Sequence, residues 1–253
     1  MLNMSRLTAP ALAGLLVLAA GCYHRAAGPA STLAPEARYA RAMRDFHAGR
    51  YTRAQTELQG LQFDLPPRDT LQGRVRFYLA ETYAGNDEML TAAREFRRVA
   101  DDFPSDALAP FALLRVGDQY ARLWRRSELD PSHGETALAT YHELIGRYAD
   151  TPAAQRAEVR VRTIQEQFAR KDFDNGVFYQ KRGAYDSAIL YFSGMIAKYP
   201  SSALVPDAFI KLVQSYRAIG YREELEEKCG HLRQYFGSRA DVRRECGDGT
   251  ARR

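Results

Sequence analysis

No stretch of this sequence is spaced to hold a metal, a nucleotide or a nucleic acid. Its five histidines, His24, His47, His133, His142 and His231, are scattered, and none stands in HExxH spacing. There is no Cys-x-x-Cys pair and no glycine-rich phosphate loop, so the recurring ligand and phosphate-cradling patterns are missing. The carboxylate pairs Asp101-Asp102 and Glu223-Glu224 fall at helix ends or on helix faces, where solvated charge is the ordinary explanation. Like charges never run beyond pairs such as Arg125-Arg126 and Arg243-Arg244, and no basic helix is interleaved with exposed aromatics, which argues against nucleic acid as a partner. These shortages point away from an enzyme and imply no cofactor.

Long hydrophobic runs are also rare, with one exception. Leu7 to Ala20 is almost wholly apolar and follows Arg6, which has the form of a signal peptide and is short for a permanent span. It ends in LAAGC, Leu18 to Cys22, which resembles a bacterial lipobox. Ala19 stands where leucine is usual, three places before the cysteine, with Leu18 one place further out. The resemblance implies lipid attachment at Cys22. Buried methylenes contribute about 0.8 kcal/mol each, so several acyl chains anchor firmly where one would not. Tyr23 in place of aspartate favours the outer membrane, by similarity to lipoprotein sorting in Gram-negative bacteria. The run HRAAGPASTLA, His24 to Ala34, is small, polar and proline-bearing, as a tether is. The expected division is a signal peptide over 1–21, an acylated N-terminus and tether over 22–34, a folded body over 35–237 and a basic tail over 238–253.

The chain has 253 residues, 45% hydrophobic and 26% charged, with a net charge of +5 and arginine far outnumbering lysine. That is enough to bury a core. Cys229 and Cys246 remain beside Cys22; in an oxidising compartment they either pair, closing a C-terminal loop, or stay as two thiols.

FPSDALAP, Phe103 to Pro110, recurs as YPSSALVP, Tyr199 to Pro206. Before Pro200 stand Gly176, Tyr179, Gly183, Tyr185, Ala188 and Phe192, in the spacing of the tetratricopeptide pattern, where small residues let two antiparallel helices approach. The template also fits Gly49, Tyr51, Ala54, Leu58 and Pro66, and then Ala80, Tyr83, Ala92, Phe96 and Pro104. A third unit has Gly117, Tyr120, Ala137, Tyr141 and Leu144, with Ala149 at the proline position; a weaker fifth has Tyr216, Gly220, Leu225, Cys229 and Leu232. The fold expected is all-α, a right-handed solenoid of about five tetratricopeptide-like helix pairs. FPSDALAP and YPSSALVP then join units: proline stops one helix, serine or aspartate caps the next, and Ala-Leu begins its buried stripe. Two irregularities interrupt the array. A long loop carrying Trp124 is expected between Tyr120 and Ala137, and an additional helix from Pro152 to Lys171, before a fourth unit near Asp172. Trp124, Arg125 and Arg126 are either a contact surface on that loop or, for Trp124, packed back on the solenoid.

Thr136 to Leu225, including ALATYHELIGRYAD, the helix after it and FYQKRGAY at Phe178 to Tyr185, is similar to the C-terminal half of the BamD family, lipoproteins of the machine that inserts β-barrel proteins into the outer membrane. The resemblance extends over the mature chain, although Pro66-Pro67-Arg68-Asp69 is shorter than the usual linker and residues 229–253 have no counterpart. It implies a periplasm-facing scaffold whose C-terminal units dock on the periplasmic domains of BamA, beside other assembly lipoproteins, and whose N-terminal units offer a groove to unfolded barrel proteins. Arg182, Tyr191 and Arg222 are the expected docking residues, because the fourth and fifth turns should expose them. The competing reading is a periplasmic repeat adaptor of the Tol-Pal coordinator or cell-wall hydrolase type, which FPSDALAPFALLRVGDQYA resembles locally; coordinators of that type usually have an N-terminal coiled coil and no lipobox.

Overall fold

A computed structural model describes residues 33–247. The signal peptide, the Cys22 lipidation site and residues 248–253 of the tail lie outside the described residues. From Pro35 onward the described chain is helical throughout: α1 (Pro35–His47), α2 (Tyr51–Asp64), α3 (Gln72–Gly85), α4 (Met89–Asp102), α5 (Ala109–Leu123), α6 (Ser132–Arg147), α7 (Pro152–Lys181), α8 (Tyr185–Lys198), α9 (Val205–Ile219), α10 (Arg222–Phe236) and α11 (Ala240–Cys246). Each helix packs on the one before it and the one after it, which makes a tetratricopeptide-like solenoid.

Two hydrogen-bonded devices repeat along it. Within four of the pairs the chain reverses through a residue with positive φ, and the amide of the following residue closes onto the carbonyl five residues back: Arg50 N–H to Asp45, Glu88 to Tyr83, Ala184 to Tyr179 and Tyr221 to Tyr216. This satisfies carbonyls left open at a helix end. Glycine occupies the left-handed position at Gly49, Gly183 and Gly220, and Asp87 does so at a φ of 61°. Between pairs, Asp69, Asp106 and Ser202 each accept from the amide two residues on, at 2.8, 2.8 and 3.1 Å. Their own amides donate to Pro66, Phe103 and Tyr199. The two similar phrases are therefore one linker geometry used repeatedly, and Pro66–Asp69 adopts it with a different sequence. The polar residue lies two residues upstream of the cap position expected for it: it shapes the turn, while the helix N-caps Leu108 and Leu204 have no side-chain cap.

Packing follows small-to-large contacts between helices. Phe192 lies against Gly176, where an added Cβ would sit 2.5 Å from the ring, and Tyr141 fills the space left by Gly117 in the same way. The buried stripe of α8, Ala188, Phe192 and Met195, has helical spacing and is fully enclosed.

Three expectations are corrected. The loop of the third pair is short, since α5 continues to Leu123 and α6 begins at Ser132, leaving residues 124–131. Gly134 lies inside α6 because the Trp124 ring occupies the place of a Cβ there. The additional helix is not separate: it and the first helix of the fourth pair form α7, 30 residues without a break, since no proline interrupts 153–181 and Asn175-Gly176, a turn dipeptide by sequence, stays helical with Gly176 packed under Phe192. Beyond Gly237, the segment read as a tail contains α11, whose Val242 is fully buried. Cys229 and Cys246 form a disulfide, with Cα atoms 5.3 Å apart, that holds α11 against α10.

Gly176→Ala should destabilise the protein by about 1–3 kcal/mol through overpacking, whereas Gly194→Ala, with open space at its Cβ, should be neutral or stabilising by up to about 1 kcal/mol; thermal melts of both variants compare the two sites. Reduction of the disulfide, or Cys229→Ser with Cys246→Ser, should remove on the order of 3 kcal/mol for a loop of this length. Hydrogen exchange should then quicken first in α11.

Candidate partner-binding surfaces

The first surface is a groove of about 560 Å³ where α3, α5 and the start of α7 face one another. Its apolar part is Phe77, Phe111, Leu114 and Val159, the last half-exposed. Its charged part is a connected network. Arg115 donates to both carboxylate oxygens of Glu81, at 2.7 and 2.6 Å, a planar fork that fixes α5 against α3. Asp118 accepts from the Tyr141 hydroxyl at 2.9 Å and from Arg160 at 3.1 Å, tying α5 to α6 and α7. Burial works against the charge on Arg115, but the Glu81 carboxylate outweighs it and the guanidinium is held above its ordinary pKa. Burial, and then the Asp118 carboxylate, push the Tyr141 phenol well above its ordinary range, so it stays a hydrogen-bond donor. An apolar strip beside fixed charges suits an extended chain with alternating side chains; nothing here resembles a nucleophile beside a base.

The second surface contains the expected docking residues. Arg182 is exposed at the end of α7, and its guanidinium lies 3.7 Å over the half-exposed Phe178 ring, a cation–π contact. Arg222 is exposed at the start of α10, next to the half-exposed Tyr221. Because α7–α8 and α9–α10 both reverse at these points, the two arginines share one edge of the stack. Neither has an ion-pair partner among the described residues. Tyr191 stands apart from this edge: it is half-buried on α8 and stacked on Tyr179 at 5.3 Å, with its phenol pKa raised by burial and then by its neighbour. Sequence reasoning missed Leu190, 73% exposed, and the edge position of Phe178. Leu190 falls off the stripe through residues 188, 192 and 195, and that spacing was the available signal.

The third is the loop 124–131. Trp124 itself is not at the surface: only 1% exposed, it packs on Phe168 at 4.5 Å between ring centroids. Arg125 and Arg126 beside it are exposed. No group of His, Cys, Asp or Glu among the described residues is arranged to hold a metal ion, and none of their helices is long and apolar enough to cross a membrane.

Against known proteins, the family described as YfiO, outer membrane lipoprotein, matches residues 32–232. An outer membrane protein assembly factor BamD from Caulobacter vibrioides is 28% identical over 142 residues, covering 56% of this chain and 46% of that protein. The factor of the same name from Neisseria meningitidis is 25% identical over 195 residues, 72% of each chain. The chain thus spans under half the length of the Caulobacter relative in that match. Among solved structures, the TPR2AB domain of yeast Sti1 in complex with pHSP90 aligns with a TM-score of 0.45 at 11% identity, over 84% of this chain and 81% of that one.

Replacing Arg115 with methionine should cost on the order of 1–3 kcal/mol, since Glu81 loses its fork, whereas Arg182→Glu and Arg222→Glu should each shift stability by less than about 0.5 kcal/mol. Urea denaturation of the three variants distinguishes the fixed charges from the free ones.

Proposed function

The chain belongs to the YfiO family of outer membrane lipoproteins, and from that membership we propose that it is a non-catalytic scaffold of the β-barrel assembly machinery. In this reading Cys22 is acylated, holds the protein to the outer membrane and leaves the helical body facing the periplasm. The groove of α3, α5 and α7 receives segments of unfolded barrel proteins. Strands of such proteins alternate apolar and polar side chains, which suits a groove lined both by Phe77, Phe111 and Val159 and by Glu81, Asp118 and Arg160.

The edge of Arg182 and Arg222 docks the periplasmic domains of BamA, with the other assembly lipoproteins bound elsewhere. What supports the edge is its chemistry: aromatic and arginine side chains are the residue types that anchor interfaces, and these arginines have no carboxylate partner among the described residues. Tyr191 is retained at the border of the contact. The observation that carries the whole reading is the extent of the family match, which runs from before α1 into α10 and so spans all five helix pairs.

Affinity purification of the tagged protein from mildly solubilised envelopes tests it. A large barrel protein with repeated periplasmic domains is the expected companion, and Tol-Pal components or cell-wall hydrolases in its absence would transfer the chain to the adaptor class. Arg182→Glu combined with Arg222→Glu should reduce recovery of the barrel protein by about tenfold or more at unchanged melting temperature; undiminished recovery would remove this edge from the interface.

A further inference from the structure

The loop 124–131 and the middle of α7 enclose a groove of about 640 Å³, distinct from the two surfaces assigned above. The loop is pinned there by one side chain. Lys171 Nζ donates to the carbonyls of Ser127, Glu128 and Leu129, at 3.1, 3.4 and 3.0 Å, so the wall it forms is held in place.

Four arginines line this groove: Arg125 and Arg126 from the loop, Arg162 and Arg170 from α7. All four are exposed, and none makes an ion pair or side-chain hydrogen bond among the described residues. Several arginines elsewhere in the stack are matched to carboxylates, as Arg97 and Arg147 are to Glu143 and Arg217 is to Glu245. Four guanidinium groups outside any ion pair, against the two carboxylates of Glu128 and Glu166, leave the concavity net positive and raise the local concentration of anions.

The same lining says what kind of anion. Glu128 and Glu166 also face the groove, which disfavours a compact multivalent anion such as a phosphate. Gln167 also lines it, and its Oε1 is buried without a donor. A buried acceptor left unmatched is unfavourable by about 1–3 kcal/mol, and a phosphate oxygen has no hydrogen to give it. A main-chain amide does.

We propose that this groove docks an extended acidic segment of a partner protein, with its carboxylates on Arg125, Arg126, Arg162 and Arg170 and a main-chain N–H donated to Gln167 Oε1. Carboxylates suit the guanidinium fork. The site stands whether or not the assembly-machinery reading does, because none of its residues is used there.

Trp124, the chain's one tryptophan, packs on Phe168 beside Gln167 and so reports on occupancy through its emission. The full-length protein is titrated with N-acetylated, C-amidated hexaglutamate, with the same peptide N-methylated along its backbone, with inorganic phosphate and with phosphatidylglycerol vesicles. Saturable binding of hexaglutamate is expected, weakened about tenfold or more by N-methylation and likewise by Arg126→Gln with Arg162→Gln or by Gln167→Ala. Arg53→Gln, an exposed position on α2, should leave it unchanged. Any of four results overturns the proposal: no saturable binding of the peptide, equal affinity for the N-methylated form, a loss with Arg53→Gln as large as with the groove variants, or binding of phosphate or vesicles in preference to the peptide.

Discussion

One helix sets the register of everything else. α7 runs 30 residues, about 45 Å, and belongs to two cores in succession. Ala153, Ala157, Val161, Ile164 and Phe168 pack with α3 to α6. Ala169, and then Phe173 and Val177, pack with α8 to α10. Tyr199, the aromatic of the second repeated phrase, stacks on Phe168 at 6.4 Å and touches both cores. Repeat arrays ordinarily couple only through neighbouring interfaces. Here a continuous hydrogen-bonded helix crosses the boundary, so α7 fixes three things at once: the wall of the α3–α5 groove through Val159 and Arg160, the floor of the arginine groove through Arg162 to Arg170, and the free edge through Phe178 and Arg182.

Charge is sorted along the stack by partner. Arg97, Arg115, Arg147 and Arg160 are spent on carboxylates that join one helix to another, Arg147 through Asp101 of α4. Exposed ion pairs contribute little individually, but a fork such as Arg115 on Glu81 fixes geometry as well as energy. Arg125, Arg126, Arg162, Arg170, Arg182 and Arg222 are among the arginines that have no such partner among the described residues, and these six are exposed on the surfaces assigned above.

What the sequence revealed followed the range of the interaction involved. Turns closed by Gly49, Gly183 and Gly220, prolines that stop helices, and the small-to-aromatic contact of Gly176 with Phe192 are local or periodic, and periodicity exposes them. Asp87 takes a glycine's conformation without a glycine's signature. The continuity of α7 was hidden because Gly176, a packing residue inside it, also fits the start of a repeat. Gly134 misled in the opposite sense: glycine suggests a loop, yet it lies in α6 to make room for Trp124. The candidate sites were least legible. Glu81 with Arg115, and Lys171 with its three loop carbonyls, are tens of residues apart in the chain, and the absence of a partner for an arginine is a property of three dimensions alone. The exposure of Arg182 and Arg222 follows from their turn positions, whereas Tyr191, expected to be exposed on the same grounds, is half-buried against Tyr179.

The latch between Cys229 and Cys246 bears on what the chain does before it is oxidised. α11 covers the outer face of α9 and α10, with Val242 buried among them. An uncovered repeat face would leave its apolar stripe in water, which is why repeat arrays need a capping element at each end. While the thiols are reduced, α11 is retained chiefly by its own contacts and by pairs such as Arg239 with Asp207 and Arg217 with Glu245. Oxidation makes that closure covalent, so the cover over this end no longer depends on non-covalent contacts alone.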